Sequence, residues 1–522
     1  MFRRFRFAAL VQTLIGAAAW LCSGLAVADS VAWQPAANDA DIERAFVLAR
    51  AENKPVLLYW GAKWCPPCNQ LKATLFNRHD FIERSKSLVP VEIDGDRPGA
   101  QKLGSRFKVS GYPTMVLVRP DGAEITRLPG EADAPQVLQL LQLGLAGGRP
   151  TKAVLADARA GKSISGAEWR MLAFYSWITD ESQLVPAAER AGVLAGLAAG
   201  CPASEADSAT RLMLKALADS DDGKGVKADA ALRTQVRGWL ADPKVARAQM
   251  DVLTNYAGEI TKALSASGSA DRKGIVTAYD SALQRLQGDT TLSRADRLTA
   301  LNARVDLARI DAPKNERHPK IAPALQKQVR EMSAQADREI TDGYERQAVI
   351  TGAAYVLGQA GLWADSDALL KANLAKSHSP YYLMSQLGGN ARKLGHKDEA
   401  LRWYEEAFAR SEGPATRLQW GASYVRALVE LTPADGARVE RAVARMIDDA
   451  ALDKGAFDGR SARSLSSVGK QLTQWNRDGK HDAVLERLRA KLDPVCAKLA
   501  DDPAARSACE GTFKPAAGKS SA

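Results

Sequence analysis

The chain has 522 residues, a formal net charge of +10 and a 46% hydrophobic composition. That length allows roughly two to four domains, with ample apolar content for packed cores. Acidic and basic residues are interspersed without a basic block, so there is no footprint for nucleic-acid binding, and nothing after residue 28 is apolar for long enough to span a bilayer.

At the N-terminus, Met1-Phe2-Arg3-Arg4-Phe5-Arg6 is basic, an apolar stretch runs to Leu25, and Ala26-Val27-Ala28 precedes Asp29. That is the layout of a secretory signal peptide, expected to be cleaved after Ala28 and to take Cys22 with it. Gln12, Thr13 and the A-x-A ending argue against an uncleaved anchor. The expected destination is an oxidising compartment, most simply a bacterial periplasm, where disulfides persist.

Apolar spacing predicts a helix over 41–51, then a strand over 55–60 that leads into Trp64-Cys65-Pro66-Pro67-Cys68. Proline suits the first turn of a helix, so the next helix is expected to begin near Cys65 and run through Ala73. Strand-like runs follow at 88–94 and 115–118, with a short helix over 102–107 between them. Asp121-Gly122 marks a hairpin to a returning strand over 123–128, and an amphipathic helix over 136–144 closes the unit.

The cysteine pair carries the chemistry. A sulfur at a helix N-terminus feels the positive end of the macrodipole, which favours thiolate over thiol. Cys65, first and expected to be the more exposed, would attack; Cys68, one turn in, would resolve the mixed disulfide. Structural zinc needs four ligands, whereas Cys201, Cys496 and Cys509 are far off in sequence and His79 is the one close histidine. A purely structural bridge across two residues would close too small a loop to restrict the unfolded chain. The expected redox-active disulfide is therefore Cys65–Cys68, with no metal and no cofactor.

The order of elements, with Lys54-Pro55-Val56, Trp64-Cys65-Pro66-Pro67-Cys68, Ile93-Asp94 and Tyr112-Pro113-Thr114, resembles the thioredoxin superfamily over residues 31–146. Periplasmic thioredoxin-like domains are especially similar, among them the C-terminal domain of the membrane thiol–disulfide interchange reductase. The resemblance implies that Pro113 is a cis-proline facing the cysteines, and that Trp64, Tyr112 and Pro113 form the substrate-binding surface. It also exposes two departures. The buried acid of thioredoxins proper is replaced by Tyr59 and its lysine partner by Pro90, which leaves Glu92 and solvent to handle the proton at Cys68. Strong oxidases of the superfamily usually carry a histidine between the cysteines and a helical insertion. Pro66-Pro67 and the short span to Pro113 therefore point toward a reductase or isomerase.

Residues 145–150 read as a boundary, with Gly147-Gly148 to release a helix and Pro150 to forbid its continuation. Beyond it strand signals vanish, and a helical domain is expected over 151–340. Residues 361–377 and 395–411 align at a 34-residue offset, the tetratricopeptide period. In the second copy Leu387, Gly388, Gly395, Ala400, Tyr404 and Ala407 fall where that family places its packing residues, so 341–512 is expected to be tetratricopeptide-like, with a plain helical domain still open. Cys496 and Cys509 are expected to form a structural disulfide in an oxidising compartment. Cys201 is expected to lie buried in a helix, and 513–522 to be a disordered tail.

The expected architecture is thus an α/β thioredoxin-like domain followed by a large all-α helical-repeat region. The expected function is an exported protein-disulfide oxidoreductase acting on protein substrates with disulfides and re-reduced by a membrane-linked dithiol donor, its helical region holding the partner. A second reading stays open: a helical scaffold whose head is a redox-sensitive latch.

Overall fold

The computed structural model describes residues 30–177, 179–180, 183–220, 225–313 and 315–513. The expected signal peptide and nearly all of the expected tail lie outside the described residues.

The head is built on five strands, β1 (Gln34–Ala36), β2 (Val56–Gly61), β3 (Val89–Asp94), β4 (Thr114–Val118) and β5 (Glu124–Leu128), in the order β1-β3-β2-β4-β5. The sheet is mixed: β3 runs parallel to β1 and β2, while β4 runs antiparallel to β2 and β5. Five helices flank it: α1 (Asp39–Glu52), α2 (Pro66–Leu71), α3 (His79–Ser85), α4 (Ala100–Arg106) and α5 (Ala134–Leu145). Every residue of β2 is buried, because helices cover both faces of a central strand. Alternation then sorts its side chains. Val56, Leu58 and Trp60 join Ile42, Phe46 and Leu103 on one face, and Leu57 and Tyr59 join Leu71, Phe81 and Val137 on the other.

Local chemistry explains the boundaries. Asn38 and Asp41 form a capping box that starts α1, and Asn53 in the left-handed region ends it. The cysteine-bearing helix is shorter than the expected run to Ala73, because a π-helical turn over Lys72–Phe76 takes over after Leu71. β1 and α3 have no counterpart in the sequence reading; three and seven residues are too few for a clear period.

From Thr151–Arg159 to Pro503–Gly511, the regular elements among the described residues are helices. Within 145–150, α5 ends at Leu145 and Gly147 takes φ 91. The hydrophobic core nevertheless runs straight across it. Leu57, Tyr59, Leu117 and Leu141 of the head share one cluster with Trp169, Leu214, Leu253 and Leu283. Thr151 Oγ1 also donates to the β5 carbonyl of Ile125 at 2.7 Å. Head and first helices are one packed body.

The helices Pro380–Leu394 and Lys397–Arg410 form a hairpin turned at Gly395, φ 86. Gly388 packs closely on its neighbour, since a Cβ there would sit 3.1 Å from the Tyr404 ring and the ring would have to give by a few tenths of an ångström. Leu387, Ala400 and Ala407 are buried in the same core.

Candidate redox site

Cys65 sits at the N-cap of α2, with Pro66 and Pro67 opening the helix where missing N–H groups cost nothing. Its Sγ accepts the Cys68 N–H at 3.2 Å, and Asn69 Nδ2 donates to the Cys65 carbonyl at 2.8 Å. Cys65 and Cys68 are joined as a disulfide with Cα atoms 5.2 Å apart. The Tyr112–Pro113 peptide is cis, and Tyr112 packs against the small cluster of Ala62, Cys65 and Cys68.

Behind the pair, Tyr59 is fully buried and its hydroxyl has no hydrogen-bond partner among the described residues. Burial pushes that phenol far above its ordinary value, so it cannot serve as a base. Glu92 pairs instead with Lys72 at 3.1 Å across a partly open cavity, which Asp94 also lines. Burial raises the Asp94 carboxyl above the usual carboxylate range, and a like charge from Asp96 adds to the effect.

The largest departure from the sequence reading is exposure. Cys65 is 2% exposed and Cys68 0%. The helical region covers them. Trp64, expected as an open substrate-facing flank, packs edge to face on Trp420 at 5.1 Å and stacks on Tyr382 at 6.0 Å. Its indole N–H donates to Asp96 at 3.0 Å and to Thr416 at 2.7 Å. Burying so much apolar surface, with the indole N–H satisfied, outweighs leaving it in water. The Arg460 guanidinium stacks against both Trp64 and Tyr112, 5.1 and 5.2 Å from their ring centres, and bonds to Asp96. The loop before the pair is held as well: Gln347 Nε2 donates to the Trp64 carbonyl at 3.1 Å, and His378 Nε2 lies 3.0 Å from the Lys63 carbonyl.

These partners were missed because nothing local announces them; Thr416 is 352 residues from Trp64. Only Asp96, just after Ile93-Asp94, lay within the stretch that the motif drew attention to. Pro113 and Tyr112, together with Pro66 and Pro67, line a cleft of about 410 Å³ between the head and the helices Arg294–Ala308 and Gly343–Gln359.

Elsewhere, Cys496 and Cys509 are disulfide-bonded and join the helices Asp482–Ala497 and Pro503–Gly511. Cys201 is neither helical nor buried as expected. It lies half-exposed just past the helix Ala187–Gly200, its Sγ 3.6 Å from the Glu205 carbonyl, because Pro202 prevents the helix from continuing over it. No cluster of three or more His, Cys, Asp or Glu suited to a metal occurs among the described residues.

A disulfide at the start of the helix that follows a central strand, with a cis-proline nearby on a mixed sheet, is the arrangement of a thioredoxin-like domain. Comparison with known proteins agrees: residues 42–144 match the family model described as a thioredoxin-like domain. The chain is 35% identical over 106 residues to the thiol:disulfide interchange protein DsbD of Pseudomonas fluorescens, covering 20% of this chain and 18% of that one. It is 34% identical over 115 residues to the DsbD of Yersinia pestis, covering 21% and 19%. A thioredoxin structure from Thermus thermophilus is 28% identical over 22% of this chain and 85% of that one, with a TM-score of 0.19. The chain therefore spans about a fifth of the length of the curated relatives, and the matched stretches make up about a fifth of this chain.

Proposed function

We propose that the protein is an exported disulfide reductase or isomerase, acting in an oxidising compartment such as the periplasm. Reduced Cys65 attacks a client disulfide, forming a bond to one client sulfur and expelling the other as thiolate. Cys68 then attacks Cys65 Sγ, forming the intramolecular disulfide and releasing the reduced client. That is the state described here, and a membrane-linked dithiol protein returns it to the dithiol by the same exchange. The observation that carries this reading is the Cys65–Cys68 disulfide together with cis-Pro113, within the stretch that matches the thioredoxin-like family model. No described helix is long and apolar enough to cross a membrane. The helical region, tetratricopeptide-like in its 34-residue offset, is the part that holds the partner.

The test is a Cys68→Ala trap expressed in the native compartment, with proteins held on Cys65 identified as mixed disulfides. Purified protein should reduce a model disulfide, and Cys65→Ser should abolish this. A redox-sensitive latch is the second reading, favoured by the 2% exposure of Cys65 beneath the helices. Negligible turnover together with redox-dependent partner binding would establish it instead.

A further inference from the structure

The described helices divide between two hydrophobic cores, and the head belongs to one of them. Its Leu57, Leu117 and Leu141 share a core with helices as far along the chain as Arg294–Ala308. The helices beyond, from Pro323–Glu339 to Pro503–Gly511, build a second core, to which Trp64 is the head's one contribution among the described residues. The helix Arg294–Ala308 serves both. Its Leu298, Leu301 and Val305, at helical spacing, face the second core, and its Ala300, Ala303 and Leu307 face the first.

Beside Trp64, polar contacts make up the seam between the two bodies. Lys102 pairs with Asp502 at 2.7 Å and Lys63 with Glu412 at 3.1 Å. Three backbone N–H groups donate to side chains of the opposite body: Gly99 to Asp453 Oδ1 at 3.0 Å, Gly459 to Ser105 Oγ at 3.0 Å and Arg460 to Gln101 Oε1 at 2.8 Å. Cavities of about 710 and 410 Å³ open along the seam, each lined from both sides. Lys72 and Asp94 face Tyr344 and His378 in the larger, and Pro67 and Tyr112 face Ala348 and Tyr355 in the smaller. A permanent interface buries a continuous apolar surface, whereas a polar and gapped one is the kind along which bodies move.

From this division we propose that residues 323–513 are a hinged cover that swings off the redox face as one body, with the helix Arg294–Ala308 as its axis. Closed, the cover holds Cys65 at 2% exposure, too little for a client disulfide to meet the sulfur. Exchange therefore takes place in the opened state, and the closed form is autoinhibited. That consequence rests on the exchange reading above; the hinge does not.

Two experiments on the full-length protein separate a hinge from local breathing. Lys102 meets the cover at Asp502, away from the ring contacts of Trp64. Lys102→Glu sets like charges there and should speed alkylation of reduced Cys65 about threefold, with amide exchange at Gly99, Gly459 and Arg460 rising by the same factor. No change at Cys65, or unequal factors at the three amides, would overturn the hinge. The second experiment pins the cover. Lys102→Cys with Asp502→Cys, in a Cys201→Ser background, is joined by a short bismaleimide while Cys65–Cys68 is oxidised, and the same variant capped with N-ethylmaleimide is the control. After reduction, the pinned protein should reduce a model disulfide about tenfold more slowly than the control. Equal rates would overturn the autoinhibited closed form. A control inert toward the disulfide overturns the exchange reading and that consequence with it, while alkylation and amide exchange in Lys102→Glu still decide the hinge.

Discussion

Trp64 and Trp420 meet edge to face at 5.1 Å, and through that contact a helix near the far end of the chain closes one flank of the redox pair. Trp420 is itself anchored, its indole donating to the Tyr381 carbonyl at 3.0 Å. The flank that a free-standing head would offer to partners is therefore an internal interface, and access to Cys65 depends on how firmly it holds.

Arg460 is the residue through which that firmness can be read. It bridges Trp64, Tyr112, Asp96 and Gln419 and is not part of the exchange chemistry. Arg460→Ala should speed alkylation of reduced Cys65 by a bulky maleimide about tenfold, equivalent to roughly 1.4 kcal/mol of easier opening. Mass tagging over time measures it, and an unchanged rate would mean that Arg460 does not hold the cover.

The C-terminal disulfide closes a loop with a sequence separation of 13 between Cys496 and Cys509. Replacing both cysteines with serine should cost about 3 kcal/mol by loop-closure entropy. Urea unfolding followed by fluorescence would show it. A loss below about 0.5 kcal/mol would mean that the unfolded chain is already constrained there.

Arg211 and Asp251 form a fully buried ion pair beneath Phe174, whose ring lies 3.7 Å from the guanidinium carbon. Removing one partner strands a charge, so Asp251→Ala should destabilise by about 3–5 kcal/mol. The apolar double replacement Arg211→Met with Asp251→Leu should recover most of that loss. Thermal unfolding of the two variants settles it, with equal destabilisation counting against the stranded-charge account.

Asp306 carries a pH signature. Burial pushes its carboxyl up to about 6, while Asn302 at 3.0 Å and the charge of Arg309 pull the other way. The folded state therefore holds the proton more tightly than the unfolded chain, and Asp306 lowers stability as pH rises from about 4 through 6, by up to about 3 kcal/mol at neutrality. Asp306→Asn should stabilise the protein at pH 7, and the gain should vanish below about pH 4. The same gain measured at both pH values would rule this origin out.

Most of the head was legible because its signals are local. The β2 run of Val56–Gly61 reads from its apolar pattern, the start of α2 from Pro66-Pro67, and the β4–β5 turn from Asp121-Gly122. β1 and α3 escaped for want of length, and α2 ended early where a π-turn intervened. In the site, Cys65, Cys68 and Pro113 were recognisable from spacing and family pattern. Asp96, Gln347, Thr416 and Arg460 were not, because each acts across hundreds of residues or through a side chain with many other uses.

By itself the sequence determined the kind of chemistry on offer: two thiols one helical turn apart at a helix start after a buried strand are a pair suited to disulfide exchange. Only the tertiary structure decided who may reach them. The same Trp64 is an open flank or a half-buried anchor depending on whether Trp420, Tyr382 and Arg460 are brought against it. That juxtaposition is made by a core that runs from the sheet into the helices, and burial of apolar surface over such distances leaves no local pattern to read.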